Sequence, residues 1–341
     1  MTPTTDRNPP PGWMIWIALW IVYIVWGSTY LAIRVTVETM PPLLTAGVRF
    51  MAAGAITLVF LRLKRGRGSV RVTGRGLYAA AIVGAALLLG GNGMVSIAEQ
   101  YVPSGLTALI IASVPLWVVV LRKLFREPVP RATLLGVGAG FVGVAILVSP
   151  GSEGSDGASL AMMLLVVLAS VSWASGSFFS KKLPLPDDPF VSTMAQMLAG
   201  GALMSLVGIA RGELNGLDPS SFSAASLWAF VYLVVAGSLL AFTAYVWLLK
   251  NAPISKVATY AYVNPVVAIA LGWLILSETV TPLIIVGASI IVASVAAIVR
   301  IESVVAQRAA RLKTGEPGGA PSPDIDVTEE PQLSKAASPT G

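Results

Sequence analysis

The chain has 341 residues, of which 55% are hydrophobic and only 12% charged, with a mean hydropathy of +0.78. Soluble domains carry about a quarter charged residues, so this chain lacks the polar coat that a water-solvated fold needs, and lipid is the solvent that removes that need. Cysteine and histidine are absent, which excludes disulfides, thiol and histidine catalysis and the usual transition-metal sites. The net charge of +6 comes from basic residues between apolar blocks, the pattern of topology determinants and not of a nucleic-acid face.

Residues 1–12 are Pro-rich and polar and predict a disordered N-terminus. Apolar blocks long enough to cross a bilayer follow at 13–33, 42–61, 77–97, 102–122, 131–149, 159–179, 190–210, 225–249, 254–276 and 281–300. The first has none of the features of a cleaved signal peptide and predicts a retained helix. Gly and Ala run through every block, as in bundles where small residues let helices approach closely; Gly136, Gly140 and Gly143 are one such face. The loops alternate in charge. Arg62, Lys64, Arg65, Arg67, Arg71 and Arg75 follow the second block. Arg122, Lys123, Arg126 and Arg131 follow the fourth, Lys181 and Lys182 the sixth, Lys250 and Lys256 the eighth, and Arg308, Arg311 and Lys313 the tenth. Glu153, Asp156 and Glu278 lie in the intervening loops. The positive-inside rule then puts both termini in the cytoplasm. From 302 to 341 the apolar residues thin out, which predicts a disordered cytoplasmic tail.

The blocks repeat. Trp26-Gly27-Ser28 lies 147 residues before Trp173-Ala174-Ser175, and Pro42 matches Pro189 at the same offset. Pro103 matches Pro253, Pro115 matches Pro265, Glu127 matches Glu278 and Gly136 matches Gly287 at offsets of 150 or 151. Five spans per half force the second half to enter the membrane upside down. The predicted fold is therefore an all-α membrane protein of about ten helices, built as inverted five-helix repeats at 13–149 and 159–300. Such repeats characterise secondary transporters with a midplane site between the halves.

Val25-Trp26-Gly27-Ser28, Arg49-Phe50, Tyr101-Val102-Pro103 through Pro115, Glu127 and Gly136 make an ordered set. Ala252-Pro253, Asn264-Pro265, Glu278 and Gly287 continue it in the second half. In this order and spacing they resemble the EamA branch of the drug/metabolite transporter superfamily. The resemblance covers roughly residues 13–300. It implies a basket of two five-helix halves in an inner or plasma membrane that exports amino acids, related metabolites or drugs. The second half departs from the first at Ala174, where the first half has Gly27, and at Gln196, where it has Arg49.

Polar residues inside spans are the candidate site, because lipid makes them costly without a purpose. Arg49 is read as a clamp for a substrate carboxylate or one side of a gate pair with Glu99, with a structural anchor as the alternative. Asn92, within Gly90-Gly91-Asn92-Gly93, marks either close ligand approach or an interhelical hydrogen bond. Trp26 and Tyr30, one turn apart, with Trp173, Tyr245 and Tyr260, suggest an aromatic cavity or ordinary packing. Asn264 joins them on the ninth block, where Pro265 should free the Ala261 carbonyl. Pro115, near Ser113 and Trp117, is its counterpart, and the two prolines are the expected hinges. Trp13, Trp16 and Trp20 read as an interfacial belt. Glu127 and Glu278 are each expected to cap the following helix.

No residue set suits a membrane enzyme, and no cofactor or metal is expected. The partners are a small-molecule substrate and the bilayer; sequence leaves the oligomeric state open. The reading is a secondary transporter working by alternating access as an exporter. An uptake permease for a narrow substrate, or a channel, are the alternatives.

Overall fold

The computed structural model describes residues 11–66, 68, 70–149, 151, 159–252 and 254–314. Residues 1–10 and 315–341, most of the two segments predicted to be disordered, lie outside this range. Among the described residues nine helices are long and apolar enough to span a bilayer: α1 (Gly12–Val37), α2 (Pro42–Arg65), α3 (Gly74–Ala98), α4 (Ser104–Leu124), α5 (Arg131–Val148), α6 (Leu160–Ser180), α7 (Pro189–Ala210), α8 (Ala224–Leu249) and α10, apolar over Pro282–Val305. The tenth, α9 (Tyr260–Leu276), is apolar but shorter, and a single turn, Ile254–Val257, precedes it. Proline starts several helices, as at Pro42, Pro189 and Pro282, where its fixed φ fits and its missing N–H leaves no bond unmade.

Packing is crosswise. α1 lies on α8 and α9 of the opposite half, and α6 lies on α3 and α4. The repeat partners α2 and α7 meet each other through glycine: a Cβ on Gly47 would stand 2.8 Å from the Gly201 carbonyl oxygen and would collide with Ser205 Oγ. α5 and α10 meet in the same way, at Gly143 against Gly287. Outward faces are apolar, with Trp13, Leu63, Leu135, Trp228 and Leu274 all exposed, as a lipid-facing surface requires.

The third helix of each half is unusual. α3 winds as a π-helix over Ala85–Gly93 and α8 over Leu233–Leu240. The glycines Gly90 and Gly237 in these stretches are 147 residues apart, so the wide winding is itself repeated. π-Winding inside α-helices is frequent at functional sites.

One expectation is located more closely and three are corrected. α4 breaks at Ala112 and Ser113, and Pro115 stands in the first turn after the break. The ninth block breaks earlier than expected, at Ala258 and Thr259, while Pro265 sits inside unbroken α9. Here short-range bonds from Ala261 N–H to Ala258 and from Tyr262 N–H to Thr259 tighten the chain, and the Thr259 hydroxyl bonds that of Tyr23 on α1. Glu278 does not cap α10, whose first turn is served by Thr281 Oγ1. It instead accepts from the Ser104 and Gly105 N–H groups at 2.6 and 2.9 Å, capping α4 of the other half. Glu127 does not cap α5. It pairs with Lys182 at 3.0 Å and Arg122 at 3.5 Å.

The tail differs as well. α10 continues to Thr314, into the stretch predicted to be disordered. Ala, Gln, Arg, Leu and Lys dominate there and are strong helix formers. Residues to Ser303 belong to the compact bundle, and Val304 onward groups separately.

Candidate functional site

Trp26, Tyr245 and Tyr260 converge from α1, α8 and α9. Their ring centroids lie 5.1 Å (Trp26–Tyr245), 5.3 Å (Trp26–Tyr260) and 5.7 Å (Tyr245–Tyr260) apart. All three are half-buried, with tilted or edge-to-face rings as the aromatic quadrupole favours. Trp26 Nε1 donates to the Gly237 carbonyl at 3.2 Å, so the cluster is fixed to the π-wound stretch of α8.

Arg49 reaches the same stretch from α2. Its Nε donates to Ser238 Oγ at 3.0 Å, and its Nη2 lies 3.2 Å from where a Cβ on Gly237 would be. A side chain there would crowd Arg49 Nη2 and Thr29 Cγ2, which would have to give by a few tenths of an ångström. The guanidinium is 4.7 Å from the Phe50 ring centroid, a cation–π contact that helps hold a buried charge. Arg49 also lines a small cavity of about 10 Å³ with Thr36, Thr45, Ser96 and the apolar Ile33 and Leu233, space for about one water molecule. The rings do not line this cavity; they and the guanidinium share the Gly237–Ser238 stretch of α8.

The remaining candidates are placed as follows. Tyr30 is half-buried on α1, packs with Ile33, Val95 and Leu233, and lies within electrostatic reach of Tyr260 and Glu99. Asn264 is buried and, with its amide nitrogen turned toward them, donates to the carbonyls of Tyr23 at 3.3 Å and Tyr260 at 3.2 Å. It therefore ties α9 to α1. Trp173 and Asn92 belong to the equivalent place in the other half. Trp173 packs on the π stretch of α3, where a Cβ on Gly91 would come within 2.5 Å of its Cε3. Asn92 is half-buried in that stretch, and its carbonyl accepts from Ser96 Oγ at 2.9 Å. Gln196, the counterpart of Arg49, bonds Ser192 Oγ at 3.0 Å on its own helix, so the guanidinium is present in one half alone.

Sequence reasoning missed Gly237 and Ser238, which receive both Trp26 and Arg49. The signal was available: Gly237 stands at the repeat offset from Gly90. It also missed the bond between Ser28 Oγ and the Tyr232 hydroxyl at 2.6 Å that joins α1 to α8.

Two inverted five-helix halves of membrane-length apolar helices are the architecture of a membrane transporter. The chain belongs to the EamA-like transporter family, whose sequence profile matches it twice, over 13–149 and 160–300. It is 39% identical to the "Uncharacterized inner membrane transporter YedA" of Escherichia coli (strain K12), covering 77% of this chain and 83% of that one. It is 27% identical to a "Probable amino-acid metabolite efflux pump" of the same organism, over 80% and 90% of the two chains. One solved crystal structure shares the fold with a TM-score of 0.57 and 21% identity, covering 86% of this chain and 97% of that one.

Proposed function

We propose that this protein is a secondary transporter that exports amino-acid-like metabolites from the cytoplasm by alternating access. The observation that carries the reading is the convergence of Trp26, Tyr245, Tyr260 and Arg49 on the Gly237 stretch. The guanidinium binds a carboxylate in two-pronged fashion, and the rings hold the apolar remainder. The metabolite-efflux relative supports the substrate class. The YedA relative supports an inner-membrane location.

Basic loops support one orientation in the membrane. Arg65, Arg122 and Lys182 lie at one end of the bundle, where they pair with Asp188, Glu302 and Glu127. That end faces the cytoplasm, together with both termini. Alternation follows from the breaks within α4, at Ala112–Ser113, and just before α9, at Ala258–Thr259, which let each half bend.

The test is export from cells overproducing the wild type or Arg49→Gln, with labelled amino acids followed in medium and cytoplasm. Accumulation of one class outside, lost in Arg49→Gln at equal protein level, is the expected result. Accumulation inside the cells would instead establish an uptake permease. Flux through liposomes that fails to saturate would establish a channel.

A further inference from the structure

Glu127 and Glu278 are repeat partners 151 residues apart, and the chain presents them in the same way. Among the described residues only two besides glycine have positive φ, Arg126 at 59° and Ser277 at 54°. Each stands immediately before its glutamate. Left-handed backbone is unfavourable for such residues, and strain of this kind gathers at switch regions. The two carboxylates are nonetheless bonded differently. Glu278 reaches into the other half and takes the Ser104 and Gly105 N–H groups, which follow Pro103. Its seat is fitted to it, since a Cβ on Gly272 would collide with Glu278 Oε2. By the repeat, the equivalent donors are the Ile254 and Ser255 N–H groups after Pro253. Glu127 is instead paired with Lys182 and Arg122.

The α2–α7 pair behaves otherwise. At the end away from the basic loops, Glu213, just after α7, accepts from the Leu43 and Leu44 N–H groups at the start of α2, at 3.0 and 2.8 Å. At the basic end, Asp188 caps α7 and pairs with Arg65, the last residue of α2. This pair is tied at both ends at once. Alternating access rocks one repeat against the other about a fixed site. In a two-fold arrangement, the opposite-facing state gives each half the conformation that the other has now. What is alike at the two ends stays fixed, and what differs is exchanged. The α2–α7 ties are of the first kind, and the two glutamates are of the second.

We propose that Glu278 and Glu127 are the outer and inner gate latches of the transporter, closed in turn. In the arrangement seen, the Glu278 latch is shut and holds α4 of the first half to the turn before α10 of the second. When it opens, Glu127 leaves Lys182 and takes the Ile254 and Ser255 N–H groups, closing the basic end. Each latch is a carboxylate on two backbone donors, a charge-assisted bond of the same type at either end. Opening one is therefore offset by closing the other, and neither state is held too tightly to leave. The assignment rests on the alternating-access reading. It depends on neither the substrate nor the direction of net transport.

The chain has no cysteine, so single reporter thiols can be read in an otherwise native background. Ser104 is fully buried and its hydroxyl meets no partner among the described residues, so Ser104→Cys removes no bond. A membrane-impermeant maleimide added outside should label it slowly. Adding Glu278→Ala should raise that rate about tenfold or more, the shift that loss of a charge-assisted hydrogen bond produces. If Glu278→Ala does not reach the membrane, Glu278→Gln should give a smaller rise. A second reporter, Ala258→Cys, read from the cytoplasmic side in inside-out vesicles, should become slower to label in Glu278→Ala. Lys182→Gln, which frees Glu127, should also raise Ser104→Cys labelling, and Glu127→Ala added to it should cancel the rise. Glu213→Ala, at the fixed pair, should leave both rates unchanged. Unchanged Ser104→Cys labelling in Glu278→Ala would overturn the outer latch. A rise there without a fall at Ala258→Cys would make Glu278 a local helix cap and overturn the gate. Failure of Glu127→Ala to cancel the Lys182→Gln effect would overturn the exchange. All these rates are read without substrate, so cells that export no labelled amino acid would sink the export reading and leave the latches standing.

Discussion

Arg49 is buried to 6% exposure, and its partners among the described residues are a hydroxyl and a ring face, not a carboxylate. A guanidinium placed this way has donor capacity left over for a ligand. Arg49→Gln should therefore lower apparent substrate affinity about ten- to hundredfold, the loss of a hydrogen-bonded charge worth roughly 1.5–3 kcal/mol, with little change in thermal stability. A matching fall in melting temperature would instead assign Arg49 to structure. Gly237→Val tests the same geometry from the other side. Branched carbons there would meet Arg49 Nη2 and Thr29 Cγ2, which already stand 3.2 and 3.1 Å from where a Cβ would be. Transport should fall about tenfold or more, since displacing a binding group by an ångström costs that order. The residues themselves were legible in sequence because lipid makes a mid-span Arg or Asn conspicuous. What each one touches was not. Asn264 and Arg49 look alike as buried polar groups, yet one ties α9 to α1 through backbone carbonyls and the other opens on a cavity.

At the scale of the element, helix ends follow local chemistry and helix breaks do not. Asp188 caps α7 by accepting from the Phe190 and Val191 N–H groups at 2.8 and 3.2 Å, and it pairs with Arg65 at 2.5 Å. Partial burial acts to raise its pKa, but the bonds from Arg65 and the two N–H groups outweigh this and hold it below the usual aspartate value. Asp188→Ala should cost about 1 kcal/mol of stability, the usual worth of such a cap. Because the folded-state pKa is depressed, this contribution is present above the ordinary aspartate range and is lost as the pH falls through the folded value. Thermal denaturation of the two proteins should therefore differ near neutrality and converge in acid. The break at Thr259 follows a different logic. The Thr259 hydroxyl bonds both the Lys256 carbonyl, three residues back, and the hydroxyl of Tyr23, 236 residues away in sequence; no local pattern records the second. Thr259→Val should straighten this segment, and protease or labelling access around Ala258 should fall.

The whole molecule is held along its pseudo-two-fold by small residues. Gly47 and Gly201 bring α2 and α7 into backbone contact, and helix pairing in lipid depends on such approach. Gly47→Leu should prevent it and leave little folded protein in detergent extracts, whereas Gly138→Leu, at a glycine with open space around it, should be tolerated. Ten spans and their inverted repetition were readable from hydropathy and offsets, because the bilayer imposes a length on every helix. The crosswise placement of α1 and α6 was not readable, since either half could have packed its own first helix against its own core with the same apolar surfaces.

That crossing also imposes an order in time. Trp26 finds its partner in a carbonyl 211 residues later in the chain. At about 5–20 residues per second of synthesis, the first helix waits roughly 10–40 seconds in the membrane before that partner exists. During this interval Arg49 lacks Ser238 of α8, and the Gly27 face of α1 lacks Asn264 and Val267 of α9. The nascent first half is thus a stage that the membrane-insertion machinery or other helices must shelter, and the ability to carry a solute begins only after the eighth and ninth helices are laid down.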